Sequence, residues 1–580
     1  MLTLIPAKHR HHRAVIPAVV NGGAVVTNLK FIAIVLIGMV SLVVSISEAQ
    51  WTENGVPVRA TPDDEYPAVI VTNDAGGALI LFHDTYEYAH IAGVCNVDAQ
   101  GVLQWSTSFI CERWFSSHRM IPDGAGGVFW ATGAIISGGS QYTCQGRIKA
   151  DGSEDAFGAG CWDFGWLLNG PDLCSDGVGG VILTWHEWRD TSTTEFDVRA
   201  QRIDEGGGNY WELCGVEVCA AAGYQWWPRI ATDDANGGIV VWGGGDGLYA
   251  QRVDKDGNVS WTASGVPICT ATGSQVSYEI IPDGAGGAVI VWQDGRRGDH
   301  DIFAQRIDTD GNVLWVIDGI PVCEEDNDQE HPLILPDGVG GVFIAWRDRR
   351  NGDYGIYAQR IDSNGTAMWS SGGEVVCGEP GDQQDHAIVT DGVGGIILAW
   401  SDGRGPDYDV YAQRLDGDGN IQWPDSGVAV CAAPESQDLV VMTSDGTYGA
   451  IVAWQDHRND TDTDIYATRI SGSGVPVGID HPQRGMPPKS LTLHQNLPNP
   501  FNPSTLISYY VPERSHVTLD VYDAAGRWVV RLVERNQHVG AHTVAWNGHN
   551  ASGIAVSSGV YFARLAAGPQ TSVIKMVLLR

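Results

Sequence analysis

The chain reads as an all-β protein, on three observations. Similar stretches recur along its 580 residues: Trp51, Trp105, Phe157, Trp211, Trp261, Trp315, Trp369 and Trp423 stand 54, 52, 54, 50, 54, 54 and 54 residues apart. A fixed period of this size marks repeated sheet units. Each copy holds four short runs of β-branched and aromatic residues, broken by Gly-Gly, Asp-Gly or Asn-Gly turns, and such dipeptides between apolar runs are strong hairpin signals. The composition agrees, with 74 Gly, 22 Trp and only 18% charged residues. Four antiparallel strands per copy, repeated eight times, predict an eight-bladed β-propeller of ~54-residue repeats over 50–474. A linker over 475–490 and a small β-sandwich over 491–580 follow it.

Taken in order, residues 1–49 read as a cleaved signal peptide. Lys8, Arg10, Arg13 and Lys30 precede a 16-residue apolar run from Phe31 to Ile46, and Ser47-Glu48-Ala49 supplies a small-x-small cleavage site. The run is short of the ~20 residues of a membrane span, so the mature chain is expected to have none, an uncleaved anchor being the alternative. The expected location is secreted, or attached to the outer surface.

Within a copy, a run such as HPLILPD (His331 to Asp337) leads into GGVFIAWRD (Gly340 to Asp348) and then GIYAQRID (Gly355 to Asp362), which alternates as a strand does. The fourth strand is expected to carry the repeat Trp and a GVPV-type segment. The Trp51 copy of that strand opens the series, and the last copy ends at IYATRISGSGVPVG without one. The Trp51 strand is therefore expected to complete the final blade and close the ring. An open solenoid and two smaller propellers are the alternatives. The repeat tryptophans Trp51, Trp105, Trp211, Trp261, Trp315, Trp369 and Trp423 are assigned a structural role.

A formal net charge of −35 argues against nucleic acid as a partner and fits a soluble surface. Eleven cysteines in an exported chain first suggest disulfides. Yet Cys219, Cys269, Cys323, Cys377 and Cys431 each fall eight residues after their repeat Trp. Equivalent places in stacked sheets are too far apart to bridge, so these five are expected to be buried thiols. Pairing among Cys95, Cys111, Cys144, Cys161, Cys174 and Cys214 is open, with Cys161–Cys174 one candidate.

The most regular motif is W-x-D-x-R, at Trp292/Asp294/Arg296, Trp346/Asp348/Arg350, Trp400/Asp402/Arg404 and Trp454/Asp456/Arg458, with a weaker copy at Trp185/Glu187/Arg189. A catalytic site is needed once, so a motif in most copies is structural. Its Asp is expected to accept from loop backbone or from the strand arginines Arg306, Arg360, Arg414 and Arg469. The Asp-x-Asp-Gly-Asn turns, as at Asp308 to Asn312, lack the spaced ligands and bidentate Glu of an EF-hand. They read as Asx-stabilised hairpins, with calcium the second reading and no other cofactor expected.

Symmetry breaks in the first four copies, where Trp162, Trp166, Trp188, Tyr210, Tyr224, Trp226 and Trp227 stand outside the repeat positions. These rings are the candidate ligand-binding residues, against a plainer reading as filler, since aromatics serve both purposes. No catalytic or metal-ligating residue is assigned.

Two resemblances bear on these elements. WQDGRRGDHDIFAQRIDTDGNVLW (Trp292 to Trp315) resembles the Asp-box repeats of sialidase-type propellers. The single-copy sialidase catalytic residues do not map onto this chain, so that resemblance implies fold and not activity. The tail resembles the C-terminal sorting domain of type IX secretion cargo and the related immunoglobulin-like domain of flagellar hook-capping proteins. It does so through QNLPNPFNP, with Asn499, Pro500, Phe501, Asn502 and Pro503, through the YDAAGR turn with Gly526, through SGVYFARL with Gly559 and Tyr561, and through the KMVLLR end. That resemblance implies passage through a type IX-like secretion machinery, commonly with attachment to surface lipopolysaccharide. The function expected first is a secreted or surface binding propeller for a glycan or a protein. A propeller-type glycoside hydrolase or lyase is the alternative, and a structural surface-layer component a further one.

Overall fold

The computed structural model describes residues 51–475 and 491–579 except 53, 87–88, 111–114, 136–140, 157–170, 189–195, 213, 220, 246, 460–461, 494–495, 497–500, 502–504, 512–514, 538–539, 553 and 569. The predicted signal peptide and all but the first residue of the predicted linker lie outside the described residues. Among the described residues there is no helix, and so none long and apolar enough to cross a membrane.

Eight four-stranded antiparallel sheets, consistent with propeller blades, make up the repeat region. Numbered by their first strands, they begin at Asp64–Thr72, Phe115–Pro122, Asp172–Ser175, Trp226–Thr232, Gln275–Pro282, Gln329–Pro336, Gln383–Thr390 and Gln437–Ser444. Each first strand lies against the first strand of the next sheet, and Gln437–Ser444 lies against Asp64–Thr72. Sheet six is representative, continuing with Val342–Asp348, Gly355–Ile361 and Glu374–Cys377. Its second and third strands are buried almost throughout. Neighbouring sheets cover both of their faces, which is why VFIAW reads as a continuous apolar run and not as an alternation. In sheet eight, Ala450–Asp456 and Asp464–Ile470 are followed by Val56–Arg59 from the start of the region, Val56 opposite Ala467.

Three polar devices join sheet to sheet. In the turn after the first strand of sheets two to eight an Asp accepts backbone N–H groups with one oxygen and a third-strand arginine with the other, and in sheet one Asn73 takes its place and donates to Asn96 Oδ1 at 2.8 Å. Asp337 Oδ1 takes Val339 N at 2.9 Å and Gly341 N at 2.8 Å, and its Oδ2 takes Arg360 Nε at 3.0 Å. Gly341 cannot be replaced, since a Cβ there would strike the carboxylate and the Ile361 carbonyl. The same arginine then donates to the next sheet, Arg360 Nη1 to Gly417 O at 2.9 Å.

That carbonyl is also the acceptor of the repeat Trp, Trp369 Nε1 donating at 3.1 Å, so both lone pairs are used. Repeat tryptophans donate to the next sheet from Trp51 Nε1 (to Ala99 O at 3.0 Å) through Trp423 Nε1 (to Gly472 O at 3.2 Å), and from Trp211 onward an arginine shares the carbonyl. In most sheets the repeat Trp precedes the short fourth strand and does not sit in it, as Trp261 does before Val266–Cys269. Phe157 lies outside the described residues.

The third device is W-x-D-x-R. Buried Asp294 accepts Trp292 Nε1 at 2.7 Å, Arg296 N at 2.9 Å and Arg296 Nε at 2.8 Å. Arg296 also reaches Asp318 O at 2.8 Å and lies 3.9 Å over the Phe303 ring. The motif Asp is thus satisfied by loop backbone and by the motif's own Trp and Arg. The expected third-strand partner is wrong, because Arg306 belongs to Asp283, at 2.9 Å. The guanidinium further touches Cys269 Sγ of the preceding sheet at 3.3 Å, and Cys219, Cys269, Cys323, Cys377 and Cys431 are free and buried. Cys174 is also free and buried, which removes the Cys161–Cys174 bridge, and Cys95 is free, whereas Cys214 is held in a disulfide. Cys111, Cys161 and the side chain of Cys144 lie outside the described residues.

In the Asp308 to Asn312 turn, Asp308 Oδ1 accepts the N–H groups of Asp310 and Asn312 at 2.9 Å each, so the carboxylate is turned onto its own hairpin.

The tail forms a three-stranded sheet of Thr492–Leu493, Thr505–Val511 and Gly540–Trp546, and a four-stranded sheet ordered Trp528–Gln537, Ser515–Asp523, Gly559–Ala567, Gln570–Leu578. Leu493, Ile507, Tyr509 and Trp546 from the first share one core with Val517, Leu519, Ala563 and Met576 from the second. This is the layering of a β-sandwich.

Candidate ligand site

Sheet four departs from its neighbours at one connection. Two residues separate Gly244 from its partner Gly247, where six separate Asp294 from Asp301 in sheet five. The sequence shows the cause: GGGDG (Gly243 to Gly247) stands where sheets five to eight carry the W-x-D-x-R loop. The missing residues leave a notch, and a cavity of about 690 Å³ occupies it. That size suits a small organic ligand.

The walls are aromatic on one side. His186 and Phe196 come from sheet three, Trp226 and Trp227 open the first strand of sheet four, and the segment Thr270 to Val276 closes the far side. The rings run in series: His186–Phe196 at 5.3 Å, Phe196–Tyr224 at 5.7 Å, Tyr224–Trp226 at 5.9 Å and Trp226–Trp227 at 6.2 Å. Gly243 permits the Trp226 indole to lie over the short hairpin, since a Cβ there would come within 2.5 Å of Nε1.

Trp227 is 48% exposed with φ of 50°, a left-handed conformation that is costly for a bulky side chain. Its neighbours hold it. Buried Tyr278 of sheet five accepts Gly243 N–H at 2.9 Å, and its hydroxyl lies 2.7 Å from Trp227 O and 2.8 Å from Trp226 O. On the other side Trp227 N–H donates to His186 Nδ1 at 3.3 Å. Burial pushes the His186 imidazole down to about 4, so the ring is neutral and its proton sits on Nε2. His186 is thus an uncharged lining residue. Thr270, Thr272, Ser274 and Gln275 add hydroxyl and amide groups, and none of the described lining residues is Asp, Glu, Lys or Arg.

Among the other residues singled out in the sequence, Tyr210 is not a lining residue. It is 56% exposed, with the Arg202 guanidinium 4.4 Å over its ring. Trp162, Trp166 and the side chain of Trp188 lie outside the described residues. His186, Phe196 and the Thr270 to Val276 segment were not legible beforehand; the shortened GGGDG connection was the available signal. Charged groups on the first strands pair with one another: Arg119 Nε lies 2.8 Å from Asp172 Oδ1, and Arg229 Nε lies 3.5 Å from Glu279 Oε1. Among the described residues no His, Cys, Asp and Glu cluster is arranged to hold a metal ion.

Residues 503–570 match the FlgD Ig-like domain. Within that match, Gly526 has φ of 76° in a turn where Asp523 Oδ1 accepts Ala525 N and Arg527 N at 2.9 Å each. Gly559 opens a strand, and the hydroxyl of Tyr561 donates back to Ser557 O at 2.7 Å. Just before the match, buried Phe501 bridges the last strand, its N–H donating to Val577 O at 2.9 Å. Asn499, Pro500, Asn502 and Pro503 lie outside the described residues.

A comparison with curated proteins found no match. Among solved structures, a polysaccharide lyase of family PL25, an ulvan lyase, is 12% identical with a TM-score of 0.40, covering 73% of this chain and 96% of its own. PorZ, a surface component of the type IX secretion system of Porphyromonas gingivalis, is 13% identical with a TM-score of 0.22, covering 89% and 81%. The Hadza microbial sialidase Hz136 is 11% identical with a TM-score of 0.33, covering 71% and 68%. Scores this low carry no argument, and the fold described above rests on its own strand pairings.

Proposed function

We propose that the chain is a secreted or surface-displayed binding protein that takes a glycan in the Trp226/Trp227 cavity. In this reading 50–474 is one closed eight-bladed β-propeller, 475–490 a linker and 491–580 a sorting domain. The export segment 1–49 and the tail deliver it through a type IX-like machinery, with lipopolysaccharide as the surface anchor. No cofactor takes part.

The observation that carries the binding reading is the cavity wall. Ring faces suit the C–H faces of a sugar, and hydroxyl and amide groups suit its hydroxyl groups. Glycosidase chemistry needs two carboxyl groups about 5 to 9.5 Å apart, whereas no carboxylate occurs among the described lining residues. The closed ring is supported by the pairing of Val56–Arg59 with Asp464–Ile470 and by the Trp51 to Ala99 hydrogen bond across the same junction.

The test is a glycan array probed with the full-length chain and with Trp227→Gly, glycine being suited to the left-handed backbone at that position. The expected result is binding lost in the variant at an unchanged melting temperature. Equal binding by both chains would overturn the site. Release of reducing ends or unsaturated sugars by the purified chain would replace the binding reading with the hydrolase or lyase one.

A further inference from the structure

Trp227 is one of a series. Trp227, Ser277, His331, Asp385 and Leu439 occupy the same place in sheets four to eight, and their φ values are 50°, 49°, 54°, 49° and 50°. At each the register of the first strand breaks, between Trp226 and Arg229, Val276 and Glu279, Glu330 and Leu333, Gln384 and Ala387, and Asp438 and Val441. A β-bulge of this kind re-aims one side chain out of the pleat, and left-handed non-glycine residues cost of order 1 kcal/mol each or more.

In sheets four to eight a buried glutamine beside the bulge is kept while the bulged residue is not. Two positions earlier stand Gln225, Gln275, Gln329, Gln383 and Gln437, all buried. Four of them donate from Nε2 to a carbonyl two residues before, at 2.7 Å: Gln225 to Gly223, Gln329 to Asn327, Gln383 to Gly381 and Gln437 to Glu435. The scaffold is thus kept, and the displayed side chain is free to be tryptophan, serine, histidine, aspartate or leucine. A purely architectural bulge would favour Gly or Asn at every copy.

The five lie at the same end of neighbouring first strands, which pack against one another. Tyr278, adjacent to Ser277, holds the Trp227 carbonyl. The His331 imidazole lies within the field of Arg347, of Glu330 and, more weakly, of the Asp385 carboxylate. Leu439 N–H donates to Asp385 Oδ2 at 3.3 Å. Trp227 is 48% and Leu439 39% exposed, Ser277 and His331 are exposed, and Asp385 is half-buried. A row of differing side chains therefore leads away from the cavity wall across the first strands of sheets five to eight.

We infer that this row is a run of ligand subsites continuing from the cavity, so that the ligand is an uncharged oligosaccharide long enough to reach both Trp227 and the His331–Asp385 pair. The inference rests on the glycan reading of the cavity and specifies its class. A hydroxyl, an imidazole and a carboxylate in sequence offer donors and acceptors to successive sugar hydroxyls. The Asp385 carboxylate and a chain of net charge −35 disfavour polyanionic glycans.

The experiment is calorimetric titration of the full-length chain with neutral cello-, xylo-, manno- and laminari-oligosaccharides of two to six units. The variants are Trp227→Gly and the double variant His331→Gly/Asp385→Gly, where glycine suits the left-handed backbone and keeps the fold. In the unaltered chain one series should bind more tightly with length. The double variant should bind its hexasaccharide about tenfold more weakly and its disaccharide unchanged. Trp227→Gly should lose both. A hexasaccharide bound no better than the disaccharide, or bound equally by the double variant, overturns the subsites and leaves the cavity reading standing. No binding of any probe by the unaltered chain overturns both.

Discussion

Glu65 offers the sharpest test of how the two ends of the repeat region meet. Its position in the first strand of sheet one is that of Gln275, Gln329, Gln383 and Gln437 in the regular sheets, and it is fully buried. Around it, Arg59 from the Val56–Arg59 strand donates from Nε to Asp84 at 2.9 Å, lies 3.5 Å from Glu65, and covers the Phe82 ring at 4.2 Å. Arg59 stands eight residues after Trp51, where sheets three to seven have cysteine, so here the arginine that meets the buried Asp comes from across the junction. Burial, with the Asp84 carboxylate adding to it, lifts Glu65 from 4.5 to about 7, against the pull of Thr61 and Arg59. An acid raised in the folded state is held there protonated. Stability is then full below pH 4.5, falls as pH rises toward 7, and levels off above. The whole shift corresponds to an upper bound of about 3 kcal/mol at pH 8 and under about 1 kcal/mol at pH 5. Glu65→Gln removes the ionisation and restores the repeat residue. Urea unfolding of both chains at pH 5 and pH 8 should show the variant more stable, by a margin that grows with pH. A margin independent of pH, or a variant weaker at pH 8, would refute the account of this junction.

Three further outcomes are expected. Removing 50–58 deletes Trp51, whose burial is worth up to roughly 4–6 kcal/mol by area, and all but Arg59 of the Val56–Arg59 strand; thermal unfolding should be far earlier than in Trp315→Ala, and equal losses would refute the proposed ring closure. Burial pushes the Cys323, Cys377 and Cys431 thiols up to about 12, so iodoacetamide at pH 8 should label them only after unfolding, and labelling of the folded chain would contradict their burial. Deleting 491–580 should leave the repeat region folded but stop surface delivery in cell fractionation, whereas equal display of both chains would end the sorting proposal.

The period of the tryptophans and the four runs per copy settled the all-β class from the sequence, because strand pairing within a copy is local and its turn chemistry is written in adjacent residues. The β-sandwich of the tail was legible for the same reason, and the five equivalent cysteines could be read as unbridged because a repeat places them too far apart. Partners that depend on two copies meeting were not legible. Arg306 and Arg296 both stand near Asp294 in the sequence, yet only the third dimension assigns Arg306 to Asp283 and gives Asp294 to Arg296. The cavity belongs to the same class. Trp226 and Trp227 stood out as breaks in the pattern, but His186 and the Thr270 to Val276 segment reach them from the flanking sheets. The left-handed backbone at Trp227, Ser277, His331, Asp385 and Leu439 left no mark in residue type, since none is glycine. Tertiary packing imposes that conformation on whichever residue occurs there, and so the placing of the displayed side chains was decided by the fold.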